Sequence, residues 1–336
     1  MKIRIFSIFL ILSVFIAPVH VLGKISGYLS FGYIKGQEQS NQANGSFRNS
    51  QLGLIFSDEI APRIDYVAEI RFKEESRIEL EQAWVGFNLS NLMNFKLGLY
   101  IVPFGKYNQA NRPHQTMLIN APLIVEKMFP PSWRDVGVRL EGRTGNIFYS
   151  AYLGNGLFES ENLEGGQQFR DNNLNKAKGA RLGAVVSQAL EVALSYYRGK
   201  YDDDNERDLI FQGIDLIWSS EGLEIISEYL MGTVKSPENF SEGKVEGYYV
   251  QASFESGTLR PVVSYQRLKY EDPFHGQGFV SPAPGAGISE EKNRWSLGLV
   301  YFASETVFLK FEYDINREKD PKIKDNTYSF QACLSF

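Results

Sequence analysis

From Lys24 onward, apolar and polar residues alternate with a period of two along most of the chain, and helical periodicity is absent. In "RIDYVAEIRFK" (63–73), Ile64, Tyr66, Ala68, Ile70 and Phe72 share one face and Arg63, Asp65, Glu69, Arg71 and Lys73 the other. "FKLGLYI" (95–101) sets Phe95, Leu97, Leu99 and Ile101 against Lys96, Gly98 and Tyr100. "VFLKFEYDIN" (307–316) sets Val307, Leu309, Phe311, Tyr313 and Ile315 against Lys310, Glu312, Asp314 and Asn316. A helix would scatter these residues around its circumference, so the pattern predicts strands with one apolar and one polar face.

Sixteen strands are predicted, at 24–34, 46–57, 63–73, 76–88, 93–102, 134–143, 146–155, 178–187, 190–200, 207–218, 222–233, 245–255, 258–269, 293–303, 306–316 and 326–336. Their connections alternate in length. Short ones ("SDEIAP", "LSNL", "RTGN", "SQAL", "SSEG", "ESGT", "ASET") follow the even strands, and longer ones follow the odd strands, with the tight "KEES" near 73–76 as the exception. A soluble sandwich also alternates apolar and polar positions, but its Greek-key crossovers give no reason to sort loops by parity. An up-and-down transmembrane barrel does: its odd connections lie at one end and its even ones at the other. The expected fold is therefore an all-β, antiparallel up-and-down transmembrane barrel of about 16 strands, its apolar face toward lipid and its polar face toward an aqueous lumen.

Composition and the termini add to this picture. Lys2 and Arg4 precede the apolar run "IFSIFLILSVFIAPV" (5–19), and a small-residue cleavage site follows at Val21-Leu22-Gly23. Residues 1–23 read as a cleaved signal peptide, since the run is short of the ~20 residues needed to span a bilayer. The barrel domain is then 24–336, and because two positive charges leave with the signal, its formal charge moves from -5 to -7. Such an acidic exported chain carries no nucleic-acid footprint. Cys333 is the only cysteine, so no disulfide framework is possible. No two His or Cys residues stand at ligand spacing, so neither a metal nor a cofactor is expected. The last strand ends on Phe336, where the terminal aromatic of a barrel anchors at the interface. A chain ending this way resembles outer-membrane proteins, and the resemblance implies that Phe336 is an assembly signal read by the barrel-assembly machinery.

A barrel of 16 to 18 strands leaves an aqueous channel, where smaller ones fill with side chains. The inferred lumen wall carries Arg63, Arg71, Lys73, Arg77, Lys96, Arg139, Arg143, Arg294 and Lys310 against Asp65, Glu69, Glu79, Glu81, Glu141, Glu224, Glu228, Glu312 and Asp314, nine of each sign. Parity also predicts that Arg is tolerated at lumen-facing Gly98 and not at Leu97 or Leu309. The long connection "PFGKYNQANRPHQTMLINAPLIVEKMFPPSW" (103–133) is the most informative, because a loop of that length is usually functional.

"KLGLYIVPFGKYN", followed by "PPSWRDVGVRLEG" and "FYSAYLGNG", resembles the phosphate-selective porin O and P family of Gram-negative outer membranes. The similarity is strongest over residues 80–157. It implies a sixteen-stranded, homotrimeric passive channel for small hydrophilic solutes or ions, embedded in outer-membrane lipid, whose third external loop folds inward. In such a loop "MLINAPLIV" packs against the wall while Lys106, Arg112, His114, Glu126 and Lys127 reach the passage as a candidate constriction. Well-known family members conduct anions past a stack of arginines, and no clear arginine ladder is present here. With a balanced wall, anion selectivity such as phosphate preference is left open. An enzyme is disfavoured, since neither His114 nor His275 sits in a His-x-Ser arrangement on a strand. A receptor or adhesin acting through external loops, "SPENFSEGK" and "PFHGQGFVSPAPGAG" among them, is the alternative in another class.

Overall fold

The structure, a computed structural model, describes residues 23–74, 77–160, 163–235, 242–270, 291–318 and 322–336. Residues 1–22 of the signal segment, His275, Glu75 and Ser76 of the "KEES" turn and most of the two proposed receptor loops lie outside the described residues. Sixteen strands close into one antiparallel barrel in which every strand pairs with its sequence neighbours and β1 pairs β16. They are β1 (Lys24–Gly36), β2 (Ser46–Ala61), β3 (Ile64–Lys73), β4 (Arg77–Ser90), β5 (Met93–Ile101), β6 (Arg134–Thr144), β7 (Ile147–Gly154), β8 (Ala177–Ser187), β9 (Leu190–Lys200), β10 (Asp208–Ser220), β11 (Leu223–Lys235), β12 (Glu242–Phe254), β13 (Leu259–Tyr270), β14 (Glu291–Phe302), β15 (Val307–Glu318) and β16 (Thr327–Ser335). Closure leaves no sheet edge unpaired. At the seam, Phe336 and Gly27 exchange backbone hydrogen bonds of 2.9 and 3.0 Å, so the chain's last residue takes part in closing the ring.

The alternation places side chains as expected. Leu97, Phe311, Tyr313, Tyr328 and Leu334 are exposed on the outer surface, whereas Glu69, Lys310, Glu312 and Asp314 are buried inside. Three wall expectations need correction. Arg63 lies in the β2–β3 turn in the left-handed region (φ 68°), because the register of β2 and β3 ends at Ala61 and Ile64. Gly98 does face inward, but its φ is 129° and a Cβ there would come within 2.2 Å of the Ala83 carbonyl oxygen. It therefore has no room for arginine, whatever its parity. The inner wall is also not uniformly polar: toward the long-loop end of β8–β13 it carries Tyr197, Leu209, Phe211, Leu230, Val234, Val245 and Leu268, all buried.

A β-bulge breaks the phase of β4. Glu69 pairs with Gln82 and Ile70 with Leu80, leaving Glu81 as the extra residue. Bulges re-aim side chains, and here Glu81 and Gln82 both turn inward, since Gln82 donates to Glu69 (2.8 Å) and Ser132 donates to Glu81 (2.5 Å).

Face assignment has a direct test. Leu97→Arg, on the outer face, should cost about 2–4 kcal/mol of barrel stability near the bilayer midplane, while Glu191→Arg, on the inner face, should fold normally. Urea titration in lipid vesicles checks this, and the opposite ranking would invert the inside and outside of the barrel.

Candidate functional site

The connection between β5 and β6, residues 102–133 and here termed L3, lies inside the barrel. A buried loop must find partners for its backbone N–H and C=O groups, since each left unpaired costs stability. Polar side chains of the wall supply them. Gly105 N donates to Ser195 Oγ (3.1 Å) and Tyr107 N to Glu228 Oε1 (2.6 Å). Ile119 N and Asn120 N both donate to Glu312 Oε2 (2.5 and 3.0 Å), and Leu123 N donates to Gln266 Oε1 (2.8 Å). In the other direction, Lys310 Nζ donates to the Pro113 carbonyl (2.6 Å) and an Arg294 N–H to that of Ala121 (3.3 Å). The polar residues of β9, β11 and β13–β15 thus form a seat for L3.

Apolar packing holds the rest. Two short helices, α1 (Tyr107–Ala110) and α2 (Leu123–Met128), interrupt the loop. Phe104, Phe129 and Trp133 pack edge-to-face against Phe211 and Tyr197 of the wall, at centroid separations such as 4.9 Å for Trp133–Tyr197 and 5.2 Å for Phe129–Phe211. Leu123, Ile124, Val125 and Met128 join the same cluster. This explains the apolar inner face of β8–β13. Further along, Leu118 packs with Val262, Val300, Phe308 and Cys333, and Met117 Sδ lies 3.7 Å from Arg260, two residues into β13 after a short turn. L3 therefore descends nearly to the short-turn end and returns.

The five candidate constriction residues do not form one ring. Lys106, partly exposed, faces Glu191 of β9 at 3.7 Å. Arg112 is buried in a bidentate pair with Glu69 of β3, Nε to Oε1 at 2.9 Å and the terminal nitrogen to Oε2 at 2.5 Å. Burial lowers its pKa, but the hydrogen bonds and charge of Glu69 outweigh that and hold the guanidinium above its ordinary value. His114 lies against the Tyr28 ring, centroids 4.8 Å apart, and burial together with the Arg112 charge pushes it down to about 4. Glu126 and Lys127 sit on the other side of the loop. Glu126 faces Arg294 (3.5 Å), and Lys127 faces both Glu126 (3.5 Å) and Glu164 of the β7–β8 connection (3.3 Å). Burial opposes the charge on Lys127 and the two carboxylates more than restore it, leaving its pKa raised.

The basic wall residues are paired as well. Lys73 meets Glu79 (2.8 Å), Arg71 meets Glu81 (3.3 Å), and Lys96 (2.6 Å) and Arg139 (2.5 Å) share Glu141. Lys96 also covers the Trp84 ring at 3.9 Å. Arg143, exposed at the short-turn end of β6, donates to the carbonyl of Gly145 (3.1 Å). Gln266 and Ser195, which carry backbone contacts of L3, were not singled out by sequence reasoning. For Ser195 the signal is a polar residue between outward Leu194 and Tyr196; Gln266, followed by Arg267, carries no such local signal.

Sixteen strands, loops sorted by parity and a long loop folded into the lumen define a barrel of porin architecture. The solved structures it is similar to share that fold: the loop L8 deletion mutant of OmpT, an outer membrane protein of Vibrio cholerae (TM-score 0.68, 10% identity, 93% of this chain and 98% of that one), an anion-selective porin from Comamonas acidovorans (0.67, 10%, 93% and 99%), and a trimer form of V. cholerae OmpT (0.65, 11%, 93% and 98%). At such identities the likeness establishes the fold alone. In sequence, the chain is 21% identical to an uncharacterized protein of Aquifex aeolicus, across 90% of this chain and 77% of that one. No family model matches the chain.

Proposed function

We propose that this protein is a passive channel of a Gram-negative outer membrane, for small hydrophilic solutes, with L3 as its constriction and little preference between anions and cations. The observation that carries the reading is the seating of L3 inside a sixteen-stranded barrel by side chains of the wall. The outer surface supports the membrane setting. Tyr196, Trp295, Tyr313 and Tyr328 lie exposed toward the long-loop ends of their strands, and Phe254, Tyr301 and Phe336 toward the short-turn end. Two aromatic girdles flanking an apolar band are what a spanning barrel presents to lipid.

The weak ion preference follows from pairing. Selecting one sign of ion needs an excess of the opposite charge along the passage. Here Lys106, Lys127, Lys96 and Arg139, which keep some exposure, each face a carboxylate, so their fields largely cancel. This argues for a general channel and against the phosphate preference that the sequence leaves open. In planar bilayers under a KCl gradient, the reversal potential should stay near zero, and millimolar phosphate should not block the current. A strongly anionic reversal potential with phosphate block would replace this reading with the phosphate-selective one.

The channel reading includes a homotrimeric assembly, as in one solved form of V. cholerae OmpT, and an assembly role for Phe336. Phe336→Ser should lower the amount of folded protein in the outer membrane more than it lowers the stability of the barrel once folded, because the register at Gly27 is a backbone contact that serine keeps. Quantifying heat-modifiable protein in outer-membrane fractions checks this. Normal levels would remove the assembly role.

A further inference from the structure

The outer face of β14–β16 and β1 is not evenly filled. A groove of about 560 Å³ runs along it. Leu299, Phe311, Phe330 and Tyr33 form one row of its lining across the strands, and Leu297, Tyr313 and Tyr328 the next row toward the long loops. On a smooth barrel, outward side chains of neighbouring strands touch across the surface. Here Phe311 and Phe330 do touch, at 5.0 Å between ring centroids, but the lining as a whole leaves an apolar hollow edged by tyrosines, whose hydroxyl ends suit the wet edge of a bilayer.

Two cations adjoin its long-loop end. Lys35 of β1 is directly opposite Tyr328 in register. Arg317, exposed, lies four residues beyond Tyr313 on β15 toward the long-loop end. The outward positions of β1, β15 and β16 carry no carboxylate among the described residues, and that of β14, Glu291, faces Arg267 of β13 at 3.0 Å, so Lys35 and Arg317 leave this face positive toward its long-loop end. The acids of these strands, Glu312, Asp314 and Glu318, are all buried on the inner side.

We infer that this groove is a binding site for an outer-leaflet lipid with a phosphorylated headgroup, one acyl chain lying along Leu297, Phe311 and Phe330 and the phosphate between Lys35 and Arg317. The inference rests on the membrane reading above but not on conduction, so a protein that passes no current could still hold the lipid. Apolar hollow and positive rim together select a lipid over a free anion: a phosphate ion would use the cations alone, and a zwitterionic lipid the hollow alone. Two interfacial cations support a preference of about tenfold for an anionic over a zwitterionic lipid.

The test uses the full barrel reconstituted in vesicles of phosphatidylcholine with one-fifth phosphatidylglycerol, extracted in mild detergent and examined by native mass spectrometry. Phosphatidylglycerol should be retained about tenfold over its share in the vesicle. The K35S/R317S variant should lose that enrichment while keeping its heat-modifiable migration, and L297W, which fills the hollow, should lose the bound lipid of either kind. Inorganic phosphate should not displace the lipid. Equal enrichment in K35S/R317S overturns the site, and so does displacement by inorganic phosphate, which would mark a simple anion site. A disulfide-linked dimer formed by L297C would show that a second copy covers the groove, and would likewise overturn it.

Discussion

Replacing residues 112–121 with a short glycine-serine bridge is expected to raise the unitary conductance severalfold. The narrowest section of a pore sets its resistance, and this segment is the part of L3 that crosses from Glu69 on β3 to Glu312 on β15. Its removal should leave the barrel itself intact, because the strand ladders do not depend on it and the aromatic cluster at Phe104, Phe129 and Trp133 lies outside the deleted stretch. Ion preference should shift toward cations, since the deletion removes Arg112 and leaves the carboxylate of Glu69 without it. Single-channel recording in planar bilayers checks both expectations. Unchanged conductance would place the resistance elsewhere, among the paired charges of β3–β6.

Glu69→Ala is expected to be the most damaging single substitution inside the barrel. Glu69 is fully buried and accepts hydrogen bonds from Arg112, Gln82 and Tyr28. Breaking a buried pair from one side strands the other charge, at a cost of about 3–5 kcal/mol. Glu81 does not relieve it, because it already serves Arg71, Arg134 and Ser132. The tip of L3 can escape the penalty by leaving its seat, so the loss should appear as protease sensitivity between Gln109 and Thr116 and as noisy, enlarged conductance, more than as unfolding of the wall. Glu69→Gln should do less, since it keeps acceptor capacity for one of the donors. Wild-type proteolysis and conductance in Glu69→Ala would show that Arg112 does not hold the loop.

Much of the wall was legible because alternation is a local signal. In β15, Leu309, Phe311 and Tyr313 face out and Lys310, Glu312 and Asp314 face in, as their order along the strand implies. The errors fall where local and tertiary demands part. Arg63 looked like the first residue of a strand and is a turn residue, because strand pairing, rather than hydropathy, ends the register. Gly98 reads as an inward position open to any polar residue, and the close approach of the Ala83 carbonyl forbids a side chain there. In β4 the apolar positions shift from Ile78 and Leu80 to Ala83, Val85 and Phe87, a change of phase that marks the bulge at Glu81.

The candidate constriction was legible in its parts and not in its assembly. That "MLINAPLIV" packs inside was expected from its apolarity, and Leu118, Leu123, Ile124 and Val125 are buried. That Arg112 would be taken up by Glu69 instead of facing the passage was not, because the partner lies 43 residues away and nothing near Arg112 in sequence names it.

The sequence alone determined the number of strands, the face most of their residues present, the up-and-down order and the separation of short turns from long loops. These follow from a two-residue period and from loop length, which act over a few residues at a time. Tertiary structure alone decided where L3 goes, which charges it neutralises, and that the long-loop end of the inner wall at β8–β13 is apolar to receive it. Those outcomes depend on the backbone groups of a buried loop meeting side chains from strands far away in the chain, and that requirement is met only once the barrel has closed around it.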